Sequence, residues 1–248
     1  MSKVSTTKKV LQTLTQFTPC DVSDALVKFG DKSGGYFPNL TNYSSPSDGS
    51  SVSGKAFTVL YAPLSDPRPA VAFNYIDCIP SPADERILVI GLTPNLQTAN
   101  APYHTLTNAL YGGLMSTRAN YVKCRGSVVF GRIRDVSEHR SLGYPVWSYG
   151  VGSTAPKVSV KVVAVGEPID VVMYDGVDGK QTQMRINDGD YIVADAVNGV
   201  VRIAEKAGLL EKVLEYMPRA VAADELVAED IKQGVEAGKA QKARRANL

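Results

Sequence analysis

The run RILVIGL at residues 86–92 is apolar at almost every position. A strand with one face in water alternates apolar and polar residues, whereas an unbroken apolar run predicts a strand buried on both faces, the habit of parallel sheets covered on both sides. A second short apolar strand, SVVF at 127–130, follows a stretch at 103–123 with helical spacing. Strand, helix, strand in that order implies a crossover unit, normally right-handed. The chain is therefore expected to be an α/β protein.

The remaining segments fit a single domain over 1–248. Residues 1–30 read as helical: Thr18 suits an N-cap, Pro19 the first helical position, and Gly30 the stop after DVSDALVKF. KSGGYFPNLTNYSSPSDGSSVSG, rich in Gly, Ser, Pro and Asn, reads as a surface loop. An α/β core is expected over 54–204. It opens with the β-rich KAFTVLYA, continues through the alternating residues 158–174, and closes with NDGDYIVAD and GVVRIA, where Asp188-Gly189 signals a turn. From 205 to 248 the chain is charged and helical, and Pro218 should break or kink it.

Composition excludes several classes. The 248 residues are 44% hydrophobic and 21% charged, and a net charge of +2 gives no global field for nucleic acid or an anionic membrane. Cys20, Cys78 and Cys124 are scattered and odd in number, so no disulfide framework is expected and a reducing compartment fits. MSKVSTTKKVLQ lacks the apolar core of a signal peptide, and no apolar run approaches the roughly 20 residues that span a bilayer. These features lead to the expectation of a soluble cytoplasmic protein that binds neither nucleic acid nor membrane.

The strongest chemical arrangement is YGGLMSTRANYVKCRGSVVFGRIRD, residues 111–135. Gly112 and Gly113 precede a helix, whose first amides have no internal acceptors and suit a carboxylate or phosphate. The following strand ends in Arg134-Asp135, and in open α/β sheets ligands bind beyond the carboxyl ends of strands. A glycine pair before a helix is also ordinary turn chemistry, and an adjacent Arg-Asp pair is commonly a solvated surface feature. From the residues alone, the arrangement is a small-anion site of open chemistry. His104 and His139 are the only histidines, which argues against a histidine-rich zinc site, while an oxygen-ligand site for Mg²⁺ or Mn²⁺ stays open. Neither G-x-S-x-G nor a P-loop occurs.

At this stretch the sequence resembles the RraA-like family, in particular its branch of 4-hydroxy-4-methyl-2-oxoglutarate aldolases that also decarboxylate oxaloacetate, and within it the fungal members. CDVSDAL resembles the family's acidic first helix and GKAFTV its G-x-A-x-T-V strand. YGGLMSTRA followed by GRIRD resembles its glycine-leucine helix start and Arg-Asp signature, and NDGDYIVAD with NGVVRI its late segment. GGYFPNL and DPRPAV look like elaborations of the fungal members.

The resemblance implies an α/β sandwich assembled as homotrimers or pairs of trimers, and a lyase that cleaves 2-oxo acids to pyruvate with Mg²⁺ or Mn²⁺. It implies that the amides of Gly112, Gly113, Leu114 and Met115 hold the substrate carboxylate, that Arg134 contacts the keto oxygen, and that Asp135 anchors the metal. Two departures stand out. Gly113 replaces an acidic residue of many bacterial relatives, and Phe130 replaces an aspartate, so fewer carboxylates are expected at the metal. Glu138 and His139 read first as surface residues at a helix start, with a compensating base as the alternative. The competing functions are a non-catalytic regulator that binds a protein partner and a specialised lyase of secondary metabolism. A methyltransferase is disfavoured by the lack of a glycine-rich cofactor loop.

Overall fold

The computed structural model describes residues 3–44, 50–206 and 208–248. Two helices open the chain, α1 (Lys3–Leu14) and α2 (Pro19–Lys28). Thr18 caps α2 as expected: its side chain accepts from Asp21 N–H while the Asp21 carboxylate accepts from Thr18 N–H, and Gly30 follows the helix at φ 96°. Two-residue strands β1 (Tyr36–Phe37) and β2 (Thr41–Asn42) then precede the long β3 (Val52–Pro63). The loop expected over this stretch is thus corrected in part. Phe37 and Leu40 are buried core residues that anchor it, and its residues 45–49 lie outside the described residues.

The central elements are β4 (Arg86–Leu92), β5 (Ala109–Tyr111), α3 (Gly113–Tyr121), β6 (Ser127–Ile133), α4 (Val136–Leu142) and β7 (Val146–Val151). After them come β8 (Val160–Val165), the hairpin β9 (Ile169–Tyr174) and β10 (Gln181–Ile186), then β11 (Tyr191–Asp195), β12 (Gly199–Ile203), α5 (Leu209–Lys232) and α6 (Ala237–Arg244). One mixed sheet runs in the order β1-β12-β11-β3-β4-β6-β7-β2, with β5 joined to β6 and β8 to β3. The contacts β3–β4, β4–β6, β5–β6 and β6–β7 are parallel, and the others are antiparallel.

The RILVIGL run is buried on both faces for a visible reason. Leu88, Ile90 and Leu92 pack with Val129, Ile133 and Ala119 on the α3 side. Ile87 and Val89 pack with Trp147, Ile169, Val171 and Ile186 under the β9–β10 hairpin. A third cluster joins Val22 and Leu26 of α2 to Val193 and Val201 of the sheet and Val213 and Met217 of α5.

One expectation fails for a physical reason, and of the break or kink expected at Pro218 the break does not occur. The helix read over 103–123 begins only at Gly113, because the apolar triplet Ala109-Leu110-Tyr111 is pulled into the sheet beside β6. Pro218 does not end α5, which continues to Lys232. Burial of Val213 and Met217 on one side and of Ala223 and Val227 on the other fixes both halves and offsets the missing proline N–H. The basic end KAQKARR lies on α6 and is tied down by Arg244–Asp230 and Arg245–Asp224 ion pairs. Among the described residues no helix is long and apolar enough to cross a membrane.

Candidate active site

Strands β5 and β6 run parallel, and Arg134 N–H donates to Tyr111 O at 2.9 Å. The glycine pair after β5 and the Arg-Asp pair after β6 therefore emerge side by side at one sheet edge. Their approach is close: a Cβ at Gly112 would stand 2.8 Å from Asp135 Oδ2 and 3.2 Å from Arg134 Nε. A side chain there would require the Asp135 carboxylate or the Arg134 side chain to shift.

Asp135 adopts the left-handed conformation, φ 60° and ψ 41°, which aspartate tolerates better than most residues. This turn aims Asp135 back at the glycine segment. Its Oδ2 accepts the Gly113 amide at 3.2 Å and lies 3.3 Å from Arg134 Nε. Arg134 and Asp135 side chains are 40% and 34% exposed, so the ion pair adds little stability. A strained backbone without a stability return is a feature of functional sites.

Both residues line a cavity of about 710 Å³ together with Gly112, Leu114, Met115 and the rings of Tyr61 and Tyr75. Of the four backbone amides expected to face an anion, that of Gly113 is taken by Asp135 and that of Met115 by Gly112 O. The amides of Gly112 and Leu114 carry no hydrogen bond among the described residues. The guanidinium of Arg134 likewise has no hydrogen-bond partner there beyond its contact with Asp135. Phe130 stands apart from this cavity: it is buried on the opposite face of the sheet, edge-on to Phe37 at 5.0 Å.

Glu138 is exposed in the first turn of α4, as expected, whereas His139 is buried. A Cβ on Gly113 would collide with Glu138 Oε2 and stand 2.7 Å from its Cβ, so the Glu138 side chain fills the space that a larger residue at 113 would take. His139 is fully buried and its ring stacks on Tyr111, 5.8 Å away at 15°. Beneath it, the Tyr111 hydroxyl bonds with Ser116 and Ser127, and Ser127 with Tyr144, each at 3.0 Å. Burial drives the Tyr111 and Tyr144 phenols well above their ordinary range, so this network stays protonated. Its one strand-borne polar trace in the sequence is Ser127, at the head of the apolar SVVF strand.

Burial also pushes His139 and His104 below the ordinary histidine value of 6.5. The unfolded chain then binds more protons than the folded one as the pH falls through 6.5 toward the lowered folded values, and stability drops with it. Thermal melts between about pH 7 and about pH 5 should show a falling Tm. His104→Phe and His139→Phe should each flatten part of that slope; an unchanged slope in both would remove the histidines as its cause.

The family model described as RraA-like, Aldolase/RraA, matches residues 19–202, a span that contains both the glycine segment and the Arg-Asp turn. The chain belongs to the RraA-like family. That family includes lyases as well as members resembling inhibitors of a ribonuclease. Protein DlpA of Legionella pneumophila is 28% identical over 235 residues, which cover 94% of this chain and 32% of DlpA. The chain thus spans about a third of the length of the curated relative it matches. A solved structure of an uncharacterized protein from Pseudomonas syringae pv. tomato has a TM-score of 0.67 at 24% identity, covering 94% of this chain and 97% of that one. Streptomyces coelicolor RraAS2, described as an unusual member of the RNase ES inhibitor RraA protein family, has a TM-score of 0.63 at 20% identity, covering 91% of this chain and 96% of that one. These two likenesses establish the RraA-like fold.

Proposed function

We propose that the chain is a divalent-metal-dependent carbon–carbon lyase acting on 2-oxo acids, which decarboxylates oxaloacetate to pyruvate, cleaves 4-hydroxy-4-methyl-2-oxoglutarate to pyruvate by retro-aldol reaction, or does both. The observation that carries this reading is the left-handed turn at Asp135, which gathers a carboxylate, a guanidinium and free helix-terminal amides at the mouth of one cavity.

In this reading the amides of Gly112 and Leu114 bind the substrate carboxylate, with Gly113 and Met115 shaping the loop. Arg134 donates to the keto oxygen. As the carbon–carbon bond breaks, its electrons move toward that oxygen, and a guanidinium already fixed there stabilises the enolate without reorganising. Carbon dioxide leaves, and a proton adds to the carbon it left, giving pyruvate.

Asp135 would hold Mg²⁺ or Mn²⁺. Among the described residues no group of three or more acidic, histidine or cysteine side chains stands ready to hold an ion. Asp135 would then be the one carboxylate donor on the cavity wall, an arrangement Mg²⁺ accepts when water and substrate oxygens complete its shell. When bound, the ion supplies a further fixed positive charge beside the reacting oxygens. Retro-aldol cleavage also needs a base for the hydroxyl proton. Decarboxylation needs none for the bond-breaking step and is the reaction expected first. The same reading carries a cytoplasmic location and assembly as trimers or pairs of trimers, which light scattering on the purified protein measures.

Purified protein should release pyruvate from oxaloacetate with added Mg²⁺ or Mn²⁺, stop when chelated, and resume when metal is restored. Absence of pyruvate release from either substrate with both metals would sink the proposal.

A further inference from the structure

The cavity that opens on Arg134 and Asp135 is larger and more apolar than a four-carbon diacid requires. Its volume of about 710 Å³ lies within the roughly 300–1,000 Å³ of clefts that enclose drug-sized ligands. Beyond the Arg134 end it has two walls. One is formed by residues 64–75, with Leu64, Val71 and Phe73; the other by residues 155–162, with Pro156, Val160 and Val162.

The walls are fastened to each other. Val71 N–H donates to Val162 O at 3.0 Å, Leu64 N–H to Ser159 O at 3.1 Å, and the Lys161 ammonium to Asp66 O at 2.8 Å. Asp66 is in turn gripped by Arg68 through Nε at 2.8 Å and Nη2 at 2.9 Å. The cleft is therefore a built feature. Of its apolar lining, Leu64 and Phe73 are 50% and 52% exposed, whereas Val160 and Tyr75 are buried. A concave cleft lined by apolar side chains with a few polar groups is the usual form of a small-molecule site.

Four charged side chains share the lining: Arg134, Asp135, Lys157 and Lys161. Arg134 and Asp135 sit at one end, and Lys161 is committed to the backbone of Asp66. Lys157 is exposed on the lining and has no ion pair among the described residues.

We infer that this cleft binds the body of a 2-oxo acid that carries, beside the carboxylate or hydroxyl at carbon 4 that the lyase reaction requires, an apolar substituent, either an aromatic ring or an alkyl chain of several carbons. 2-Oxo acids lacking that carboxylate or hydroxyl serve as uncleavable probes of the cleft. The inference rests on the lyase reading for the placement of the substrate's head at Arg134. The continuity of the apolar walls with that head-group end argues for a substrate tail as the occupant. Phe73 and Val162 then act as specificity-determining residues.

Calorimetric binding of pyruvate, 2-oxohexanoate, 2-oxooctanoate, phenylpyruvate and 2-oxoglutarate, with Mg²⁺ present, tests this. 2-Oxooctanoate and phenylpyruvate should bind at least about tenfold tighter than pyruvate, the low end of what one methylene contributes in an apolar pocket. Phe73→Ser, at an exposed position that folding tolerates, should abolish most of that advantage, and Val162→Ser should do the same where its melt shows a folded chain. A flat series, including one caused by a second copy covering the cleft, overturns the inference. So does tightest binding of 2-oxoglutarate, which would assign the cleft to a second carboxylate held by Lys157. Oxaloacetate turnover on the same samples separates the two readings: turnover with a flat series sinks the apolar-tail inference alone, and a graded series without turnover sinks the lyase reading alone.

Discussion

Arg134→Ala should lower kcat for oxaloacetate decarboxylation by about 10²–10³-fold, the range found when one preorganised donor to a developing oxyanion is removed. The expectation follows from what Arg134 does in the fold. It is 40% exposed and, among the described residues, its ion pair is to its own neighbour, so its loss should leave the melt nearly unchanged. Arg134→Lys should recover only part of the rate. An ammonium is a single point charge and cannot keep the contact with Asp135 while presenting further planar donors to the substrate.

Asp135 gives the complementary pair. Asparagine tolerates the left-handed conformation, so Asp135→Asn should keep the turn and lose the charge. Asp135→Ala should lose both the charge and the Gly113 contact. Steady-state kinetics beside thermal melts distinguish these cases. Unchanged kcat in Arg134→Ala and Asp135→Asn would remove both residues from the chemistry.

How far the sequence foretold this site depends on the range of the interactions involved. The meeting of Gly112-Gly113 with Arg134-Asp135 was legible, because it needs only local strand patterns and the rule that ligands sit beyond the carboxyl ends of parallel strands. RILVIGL was legible for the same reason. The three-residue strand Ala109–Tyr111 was not: so short an apolar run fits a helix or a strand, and pairing with β6 decides it. Phe37 and Leu40 were hidden in a segment whose Gly, Ser and Pro content says loop, although their burial joins it to the core. β10, polar at exposed positions Gln181, Thr182 and Gln183, carries only Met184 and Ile186 into the core, too little pattern to see. The burial of His139 and the placement of Glu138 over Gly113 are tertiary facts with no local signature.

Asp190 shows how much such a tertiary fact can weigh, since in NDGD it reads as a turn residue and in the fold it is fully buried. Its carboxylate accepts Asn187 N–H at 2.9 Å, Glu205 N–H at 2.8 Å and Arg202 Nη1 at 3.2 Å. It thereby fixes the entry to β11 and the exit of β12 at once. Arg202 is itself only 13% exposed, with its other contact to Arg185 O at 2.7 Å. Asp190→Ala leaves a largely buried guanidinium without its counter-charge and two amides without acceptors, a loss of about 3–5 kcal/mol. For a chain of this size that lowers Tm by roughly 6–20 °C, at about 2–4 °C per kcal/mol. Asp190→Asn should cost less, because an amide oxygen still accepts one of the N–H groups. Adding Arg202→Met to Asp190→Ala should recover part of the loss by removing the stranded charge. Below its lowered Tm, Asp190→Ala should retain the wild-type kcat, since Asp190 does not line the cavity. A melt within about 2 °C of wild type, under 1 kcal/mol on the same scale, would show that the buried carboxylate is not the clasp between β11 and β12.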